Sequence, residues 1–230
     1  MSRILGLLSL AMLVLAPLGG RLHVVPLRIA LLMVPLAALI AVIAVLLGAF
    51  RLLRKPSPDQ RSAAIAGLVA GLVPVAFMVN VAVQGHGLPM IHNITTDLKD
   101  PPTFTVAPTL ATRVADNSLE YDVHDAPLQA AAYPDVRTLA TAEDPAHAFE
   151  HAKAIATKLG WEIYSADTVA GNIEAVDTTR LWGFKDDIVI RIRARGTGSI
   201  VDLRSVSRVG HGDMGANAKR IRKFIAAFTS

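Results

Sequence analysis

The sequence predicts an α+β membrane protein, in which three N-terminal transmembrane helices precede a small domain of two helices and a four-stranded antiparallel sheet. The first observation is composition: 52% of the 230 residues are hydrophobic, 18% are charged, and the mean hydropathy is +0.43, which is too apolar for one soluble domain. The second is charge separation. Residues 1–90 contain seven Lys or Arg and one acidic residue, whereas residues 91–230 contain sixteen and eighteen.

The same counts exclude several classes of function. The basic character of the chain belongs to its membrane part, so the remaining domain lacks the clustered basic surface that nucleic-acid binding requires, and we expect no nucleic-acid partner. The chain contains no cysteine, which excludes disulfides, thiolate catalysis and cysteine-based zinc sites. We predict neither a cofactor nor a metal site, and we favour a non-enzymatic function over an enzymatic one.

Three charge-free stretches are candidates for the membrane spans. Residues 29–50 are the clearest, because 22 residues of helix measure about 33 Å and match the hydrocarbon core of a bilayer. Residues 62–84 are also long enough. Residues 4–18 form either a short span or the apolar part of a signal peptide; Pro17 and Leu18 make a poor cleavage site, which favours a retained span.

The charges between the last two spans predict the orientation of the chain. Positions 51–61 carry four basic residues and one acidic residue, so the positive-inside rule places this loop in the cytoplasm and residues 85–230 on the other side of the membrane. We therefore predict a multi-pass protein of a bacterial inner membrane with a periplasmic C-terminal domain. We expect the lipid bilayer to be a partner of this protein.

Small residues recur at four-residue spacing in the third span, at Ala63, Gly67 and Gly71. This pattern lets two transmembrane helices approach closely. The partner helix belongs either to the same chain or to another membrane protein; we favour packing within the chain.

Beyond the transmembrane region, residues 1–84, glycines and prolines predict an extended tether at residues 85–110, followed by a compact domain at residues 111–230. One helix of this domain is clearly signalled by Asp144 as its N-cap, by Pro145 in its first turn and by Gly160 at its end.

Strand-like runs follow at residues 161–168, 172–179, 187–195 and 199–208, and their short connections indicate antiparallel pairing. Apolar and polar residues alternate in the last two runs, so we predict that each strand has one buried and one polar face. A final amphipathic helix is predicted from about residue 215 to 228, and both helices are expected to cover one face of the sheet.

The chain has the pattern G-x-G-x-x-G at residues 210–215, between a strand and a helix. No second parallel strand follows, so a dinucleotide site is not expected. A weaker hypothesis is an anion held at the start of the last helix by Arg208 and Arg220. The alternative is a glycine-rich turn capped by Asp213 or Asn217.

Charged residues also occupy the predicted polar faces of the last two strands, at Arg191, Arg193, Asp202 and Arg204. Cross-strand ion pairs are the ordinary explanation. A bound anion is the alternative, and we therefore count Arg204 with the turn residues as a candidate ligand-binding residue.

The stretch His147 to His151 matches H-x-x-E-H, the inverted zinc-protease pattern. It lies on a short helix, opposite the apolar stripe, and no third ligand is evident downstream. We interpret both histidines as solvated side chains.

Three separated groups of residues carry a resemblance to a known family. They are Ile91 to Asp97 with Pro101 and Pro102; Trp182 to Phe184 with Asp186 to Arg191; and Asp202 to Gly210 with Asp213, Gly215, Asn217, Ala218, Arg220 and Ile221. Together they resemble the bacterial and plastid family called domain of unknown function 1499, over residues 90–228. The family has no established chemistry, so the resemblance assigns no catalytic residue. It marks residues of unknown role at His92, Asp97, Asp186, Asp187 and Arg191.

Three functions are compatible with these features. The first is a non-enzymatic scaffold or accessory subunit whose exported domain contacts a partner, with the Gly67/Gly71 face as a further contact surface. The second is a binding module for an anionic small molecule or lipid headgroup at the turn from Arg208 to Arg220. The third is an unrecognised hydrolase that uses His92, Asp97 and the Asp186-Asp187 pair.

Overall fold

The computed structural model describes residues 1–113 and 116–230. The chain divides into two compact units, residues 1–86 with 180–183 and residues 87–179 with 184–230. The first unit contains three helices, each long and apolar enough to cross a membrane, and the chain is therefore a multi-pass membrane protein. They are α1 (Ser2–Arg21), α2 (Leu27–Leu53) and α3 (Pro58–Gly85).

Each predicted span lies inside one of these helices, which continue for a few residues beyond the apolar stretch. The start of α3 shows why. Ser57 and Gln60 form a capping box and Pro58 occupies the first turn, so the helix begins four residues before the charge-free run.

The small-residue face of α3 packs within the chain. A Cβ atom on Gly67 would collide with the backbone of Ser2 in α1, and a Cβ atom on Gly71 would lie 3.0 Å from the carbonyl oxygen of Ala41 in α2. The approach at Gly67 requires glycine, and the approach at Gly71 leaves little room for a larger residue. This is the intrachain packing that the sequence favours.

The second unit is built around a six-stranded antiparallel sheet with the order β1-β6-β5-β4-β3, in which β2 also pairs with β6. Three α-helices and a short 3₁₀ turn (Ala107–Thr109) complete it. The strands are β1 (Asn93–Thr95), β2 (Leu139–Thr141), β3 (Glu162–Asp167), β4 (Asn172–Thr178), β5 (Lys185–Arg195) and β6 (Gly198–Ser207). The helices are α4 (Asp125–Ala132), α5 (Pro145–Lys158) and α6 (Ala216–Phe228).

The α+β class is confirmed, but the predictions of four strands and two helices are wrong, since the sheet has six strands and α4 is a third helix. The four predicted strands are β3 to β6, within two residues at each end. The sequence missed β1 and β2 because three residues are too few to show an alternation. Since β1 and the 3₁₀ turn lie within residues 85–110, the predicted tether contributes structure to the sheet domain.

One face of the sheet, here called the helix face, is apolar. Ile188, Ile190 and Ile192 of β5 point to it and are almost completely buried. Both α5 and α6 pack on this face, as expected from their apolar stripes. The N-cap of α5 is Asp144, whose carboxylate accepts from the backbone N–H of Ala146 and of the following residue.

The opposite face, here called the ionic face, presents the alternate residues of the same strands. It carries Asp187, Val189, Arg191 and Arg193 from β5, Asp202 and Arg204 from β6, and Glu174 from β4. Residues 96–113 and 116–121, here called the cover segment, supply most of the partners of these side chains. The face predicted to be polar is therefore polar, but the cover segment lies between it and solvent.

Candidate functional site

The ionic face is buried although most of its side chains are charged. Asp187 and Asp202 are 0% exposed, Glu174 is 1% exposed and Arg204 is 2% exposed. A charge removed from water is costly unless a partner of opposite charge or several hydrogen bonds compensate it. The partner of each group therefore decides whether the group is structural or free to bind a ligand.

Asp187 lies at the centre of a closed ion-pair group. Arg208 binds it through two nitrogens of its guanidinium, with Nε 3.0 Å from Oδ2 and Nη2 2.7 Å from Oδ1. The Nε of Arg113 lies 2.8 Å from the same Oδ2. Asp116 is the second carboxylate near these arginines; burial raises its pKa despite their attraction. Arg208 is thus fully occupied as a structural partner.

Asp202 forms a second group with Arg191 and Arg193. The Nη2 atoms of the two arginines lie 3.1 and 2.8 Å from its Oδ2, and the hydroxyl of Thr138 donates to Oδ1 over 2.5 Å. This carboxylate crosslinks β6 to β5 beneath the cover segment. It also anchors the residue that precedes β2.

The same two arginines reach the cover segment through Asp97 and Asp100. Arg193 donates from Nη2 to Asp97 and from Nη1 to Asp100, over 3.2 and 2.8 Å. Burial opposes ionisation of Asp97, but the backbone N–H groups of Asp100 and Lys99 and both arginines outweigh it, so the pKa of Asp97 lies below its ordinary value. The family-motif residues Asp97 and Arg191 therefore hold the cover segment on the sheet.

Glu174 fixes the middle of the cover segment. Its carboxylate accepts from the backbone N–H groups of Thr105, Val106 and Ala107 over 2.6, 3.0 and 2.8 Å, and from the hydroxyl of Thr105 over 2.7 Å. These donors precede and begin the 3₁₀ turn. One buried carboxylate therefore replaces the missing backbone partners of this loop.

Arg204 differs from the other arginines of the ionic face. Its three hydrogen bonds go to neutral acceptors: the side-chain oxygen of Asn93 at 2.9 Å, the carbonyl of Pro102 at 3.0 Å and the carbonyl of Leu119. Among the described residues, no carboxylate pairs with it. Burial lowers its pKa to about 10, so the guanidinium is still charged at neutral pH.

Two aromatic rings and an open pocket surround this arginine. The guanidinium carbon lies 5.4 Å from the ring centre of Phe104 and 5.5 Å from that of Tyr121. All three residues line a pocket of about 690 Å³. Within the described part of the chain, the Tyr121 hydroxyl is buried without a hydrogen-bond partner, and burial raises its pKa to about 12.

The turn at residues 208–215 does not gather the two arginines assigned to it from the sequence. Arg208 points to the ionic face, whereas Arg220 lies on the helix face, where its Nε is 2.8 Å from Asp177. Asp213 caps the turn: its Oδ1 accepts from the backbone N–H of Gly215 and its Oδ2 from that of Asn217, both over 2.8 Å. The capped turn, our alternative interpretation, is what the structure shows.

Asn217 is also bound internally. Its Oδ1 accepts from the Ser205 hydroxyl over 2.7 Å and from Arg220 over 2.6 Å, and its Nδ2 donates to the carbonyl of His92 over 3.0 Å. Asp186 pairs with Arg220 on the same face, and burial raises its pKa despite this pairing.

The residues proposed for a hydrolase do not converge. Asp186 and Asp187 are neighbours on β5 and therefore point to opposite faces of the sheet. Asp97 lies on the ionic face, and His92 lines a separate pocket of about 460 Å³ together with His124 and other residues that flank α4. The motif residues therefore occupy three different environments.

The histidines of the H-x-x-E-H motif each have a local partner. The Nδ1 of His147 lies 2.6 Å from Asp144, and that of His151 lies 2.9 Å from Glu143, while the His151 ring packs 4.3 Å from the ring of Phe228. In the ranges that the structure covers, no group of three or more His, Cys, Asp or Glu is placed to hold a metal ion.

Sequence reasoning identified Arg204 but missed what surrounds it. Phe104 and Tyr121 come from an irregular segment with no periodic pattern, and nothing in their local sequence links them to β6. Glu174 occupies a polar position of a predicted strand, which by itself indicates solvent. The usable signal was the unusual number of charges on two neighbouring strands.

A family model for a protein of unknown function, DUF1499, matches residues 93–228, more than half of the chain. The match begins at β1 and ends at the last residue of α6, so it covers the whole sheet and both of its packed helices. A search of curated proteins gives no match. The chain therefore belongs to the DUF1499 family and joins its domain to three helices that are long and apolar enough to cross a membrane.

Proposed function

We propose that the protein is a membrane-anchored binding module for a small anionic molecule, whose charged group contacts Arg204. One observation carries the proposal. Arg113, Arg191, Arg193 and Arg208 all have carboxylate partners on the ionic face, whereas Arg204, which is only 2% exposed, has none among the described residues. An anion would supply the missing counter-charge.

The pocket defines the chemistry of the ligand. A guanidinium has five N–H groups, and the three bonds described for Arg204 leave two of them for a carboxylate or phosphate. Phe104 and Tyr121 offer ring faces to an apolar or cyclic body attached to that group. A pocket of about 690 Å³ lies in the size range of small-molecule sites.

The binding proposal is tested on the full-length protein in mild detergent, with inorganic phosphate and a short-chain fatty acid as probes. We expect at least one probe to raise the melting temperature of the wild type and to have no effect on Arg204→Gln. Native mass spectrometry of the freshly purified protein should also show a bound small acid that Arg204→Gln lacks.

Arg222→Gln is the matched control, because Arg222 forms a bidentate pair with Asp135 on the exposed side of α6. It should keep the response of the wild type. A response retained by Arg204→Gln, or no response and no bound acid in the wild type, would contradict the proposal.

We further propose that the sheet domain lies on the non-cytoplasmic side of the membrane, in a bacterial cell the periplasm. The four basic residues at positions 51–61 support this orientation. A reporter that works only outside the cytoplasm should be active when fused after Ser230. Activity of a cytoplasm-specific reporter at the same position would reverse the topology.

A role as scaffold or accessory subunit is the second candidate. It is favoured by two exposed apolar side chains, Val123 just before α4 at 69% and Leu128 within α4 at 51% exposure. If these residues form a contact surface, Leu128→Ser should remove a protein that copurifies with the wild type, while Arg204→Gln should retain it. Copurification unaffected by Leu128→Ser would contradict this role for α4.

A further inference from the structure

The loop after β6 and the segment before β1 expose apolar side chains at the same end of the sheet. Met90 is 75% exposed, Val209 is 40% exposed and Met214 is 50% exposed. The two segments touch, since a Cβ atom on Gly212 would lie 3.2 Å from the sulfur of Met90. We refer to Met90, Val209 and Met214 as the apolar end of the domain.

Pairing in the sheet explains why these residues meet. Val209 follows the last residue of β6 by two positions, and Met90 precedes β1 by three, while Asn93 of β1 pairs with Val206 of β6. The G-x-G-x-x-G pattern is thus the connection that crosses this end and leads into α6. This connection contributes no residue to the lining of the pocket at Arg204.

The backbone of Met214 gives an independent indication. Its φ is +52°, a left-handed conformation that residues with a Cβ adopt at a cost and that glycine or asparagine tolerates better. The loop therefore holds a strained methionine whose apolar side chain reaches solvent. Strained residues of this kind cluster at functional contacts, such as ligand clamps and switch regions.

Chain length decides what the apolar end meets. The last membrane-spanning helix ends at Gly85, five residues before Met90, and five residues of extended chain reach at most about 18 Å. Met90 therefore lies at most that distance from the last residue of α3. The one carboxylate of these two segments, Asp213, is bound by two backbone N–H groups, so burial in the headgroup region leaves no free acidic group to desolvate.

We propose that the apolar end of the domain rests in the interfacial layer of the bilayer that α1 to α3 cross. Removal of methionine and valine side chains from water lowers the free energy. The short connection to α3 makes this membrane contact effectively intramolecular. This inference does not depend on a ligand at Arg204.

The chain contains no cysteine, so single-cysteine variants can carry a spin label in the full-length protein without background. The protein is reconstituted in nanodiscs of phosphatidylethanolamine and phosphatidylglycerol. Labels at Met90→Cys and Met214→Cys should collide readily with oxygen and poorly with a water-soluble nickel chelate, as lipid-embedded labels do. Val169→Cys is the control: Val169 is 97% exposed, in the β3–β4 turn at the opposite end of the sheet.

A label at residue 214 as accessible to nickel as the label at residue 169 would overturn the proposal. Protection that persists in detergent micelles, with dipolar broadening between labels of different molecules, would also overturn it, because it would assign the apolar end to a second copy of the chain. The Met214→Gly variant adds a check: it should be at least as heat-stable as the wild type in detergent, since glycine relieves the strained φ.

Discussion

The two faces of the central sheet come from the same strands and are both buried, yet they are held in different ways. The helix face is a continuous apolar core under α5 and α6. The ionic face and the irregular segment that covers it contain five arginines that face carboxylates or carbonyl groups. In this domain, burial alone therefore does not distinguish the apolar core from the candidate site. The two faces differ in the chemistry of the segments that cover them.

The difference has an energetic meaning. Each large apolar side chain on the helix face contributes about 1.5–3 kcal/mol through its removal from water. A buried ion pair contributes little net stability, because desolvation offsets the attraction, but removing one partner is costly. The helix face thus supplies stability, whereas the ionic face specifies where the cover segment lies and so shapes the pocket at Arg204.

The largest effect is expected on the helix face, for Ile190→Asp. Ile190 is completely buried among apolar residues, and no cation stands ready to pair with the new carboxylate in that cluster. We expect a loss of at least about 4 kcal/mol in the free energy of unfolding. Pulse proteolysis of the full-length protein in micelles, over a urea series, measures it. A loss below about 1 kcal/mol would mean that the two faces are misassigned.

On the ionic face, Asp187→Asn should cost nearly as much. It leaves Arg113 and Arg208 buried together with only the more distant Asp116, at 3.8 and 3.7 Å, as a counter-charge, and about 3–5 kcal/mol is typical for a broken buried pair. Asp135→Asn is the control, because Asp135 binds Arg222 with the same bidentate geometry on the surface and should cost less than about 1 kcal/mol. Equal losses in the two variants would show that burial of the ionic face has no energetic consequence.

Alternation in the sequence predicted both faces, because Ile188, Ile190 and Ile192 are spaced by two and the charges fall between them. It also predicted α5 and α6, whose caps and apolar stripes are local signals. It could not predict that the polar face is buried. That depends on a segment with no regular structure, which contacts β4 and β6 from 69 and 102 residues earlier in the chain.

The two arginines flanking the glycine-rich turn show the same limit. Arg208 and Arg220 are close in sequence, and nothing local reveals that one follows the ionic face and the other lies in a helix packed on the opposite face. The binding site predicted from proximity in sequence therefore combined two arginines that form separate internal ion pairs on opposite faces of the sheet. Arg204, four residues earlier, was separated from its two ring contacts by more than 80 residues.

Glu174→Gln tests how the ionic face holds the cover segment. The amide keeps one acceptor oxygen but loses the charge that serves four donors, and we expect a loss of about 2 kcal/mol. Hydrogen exchange of the backbone N–H groups of Thr105, Val106 and Ala107 should speed up in this variant. Glu150→Gln, at an exposed position of α5, should leave these groups unchanged. Unchanged exchange in Glu174→Gln would mean that other contacts hold the segment.

A smaller effect is expected from acid. Burial raises the pKa of Asp97, but its backbone and arginine partners lower it further, so the folded-state pKa is below the unfolded value. Asp97 therefore stabilises the fold fully above an ordinary aspartate pKa of about 3.9, and this contribution is lost as pH falls through the folded-state value. The stability difference between the wild type and Asp97→Asn should shrink between about pH 5 and pH 2. A difference that grows on acidification would reverse the assigned sign.

The smallest effect is expected for Arg193→Gln, although Arg193 contacts three carboxylates. Its side chain is 38% exposed, so water screens these contacts, and Asp202 keeps Arg191 and a threonine hydroxyl as partners. We expect a loss within about 1 kcal/mol, and almost none for Arg195→Gln, the exposed arginine two positions further along the same face of β5. The difference between the two variants measures what a half-exposed arginine adds to the ionic face. A loss as large as that of Asp187→Asn would mean that Arg193 behaves as a fully buried residue of the ionic face. Arg193 would then be as necessary as Glu174 to the position of the cover segment.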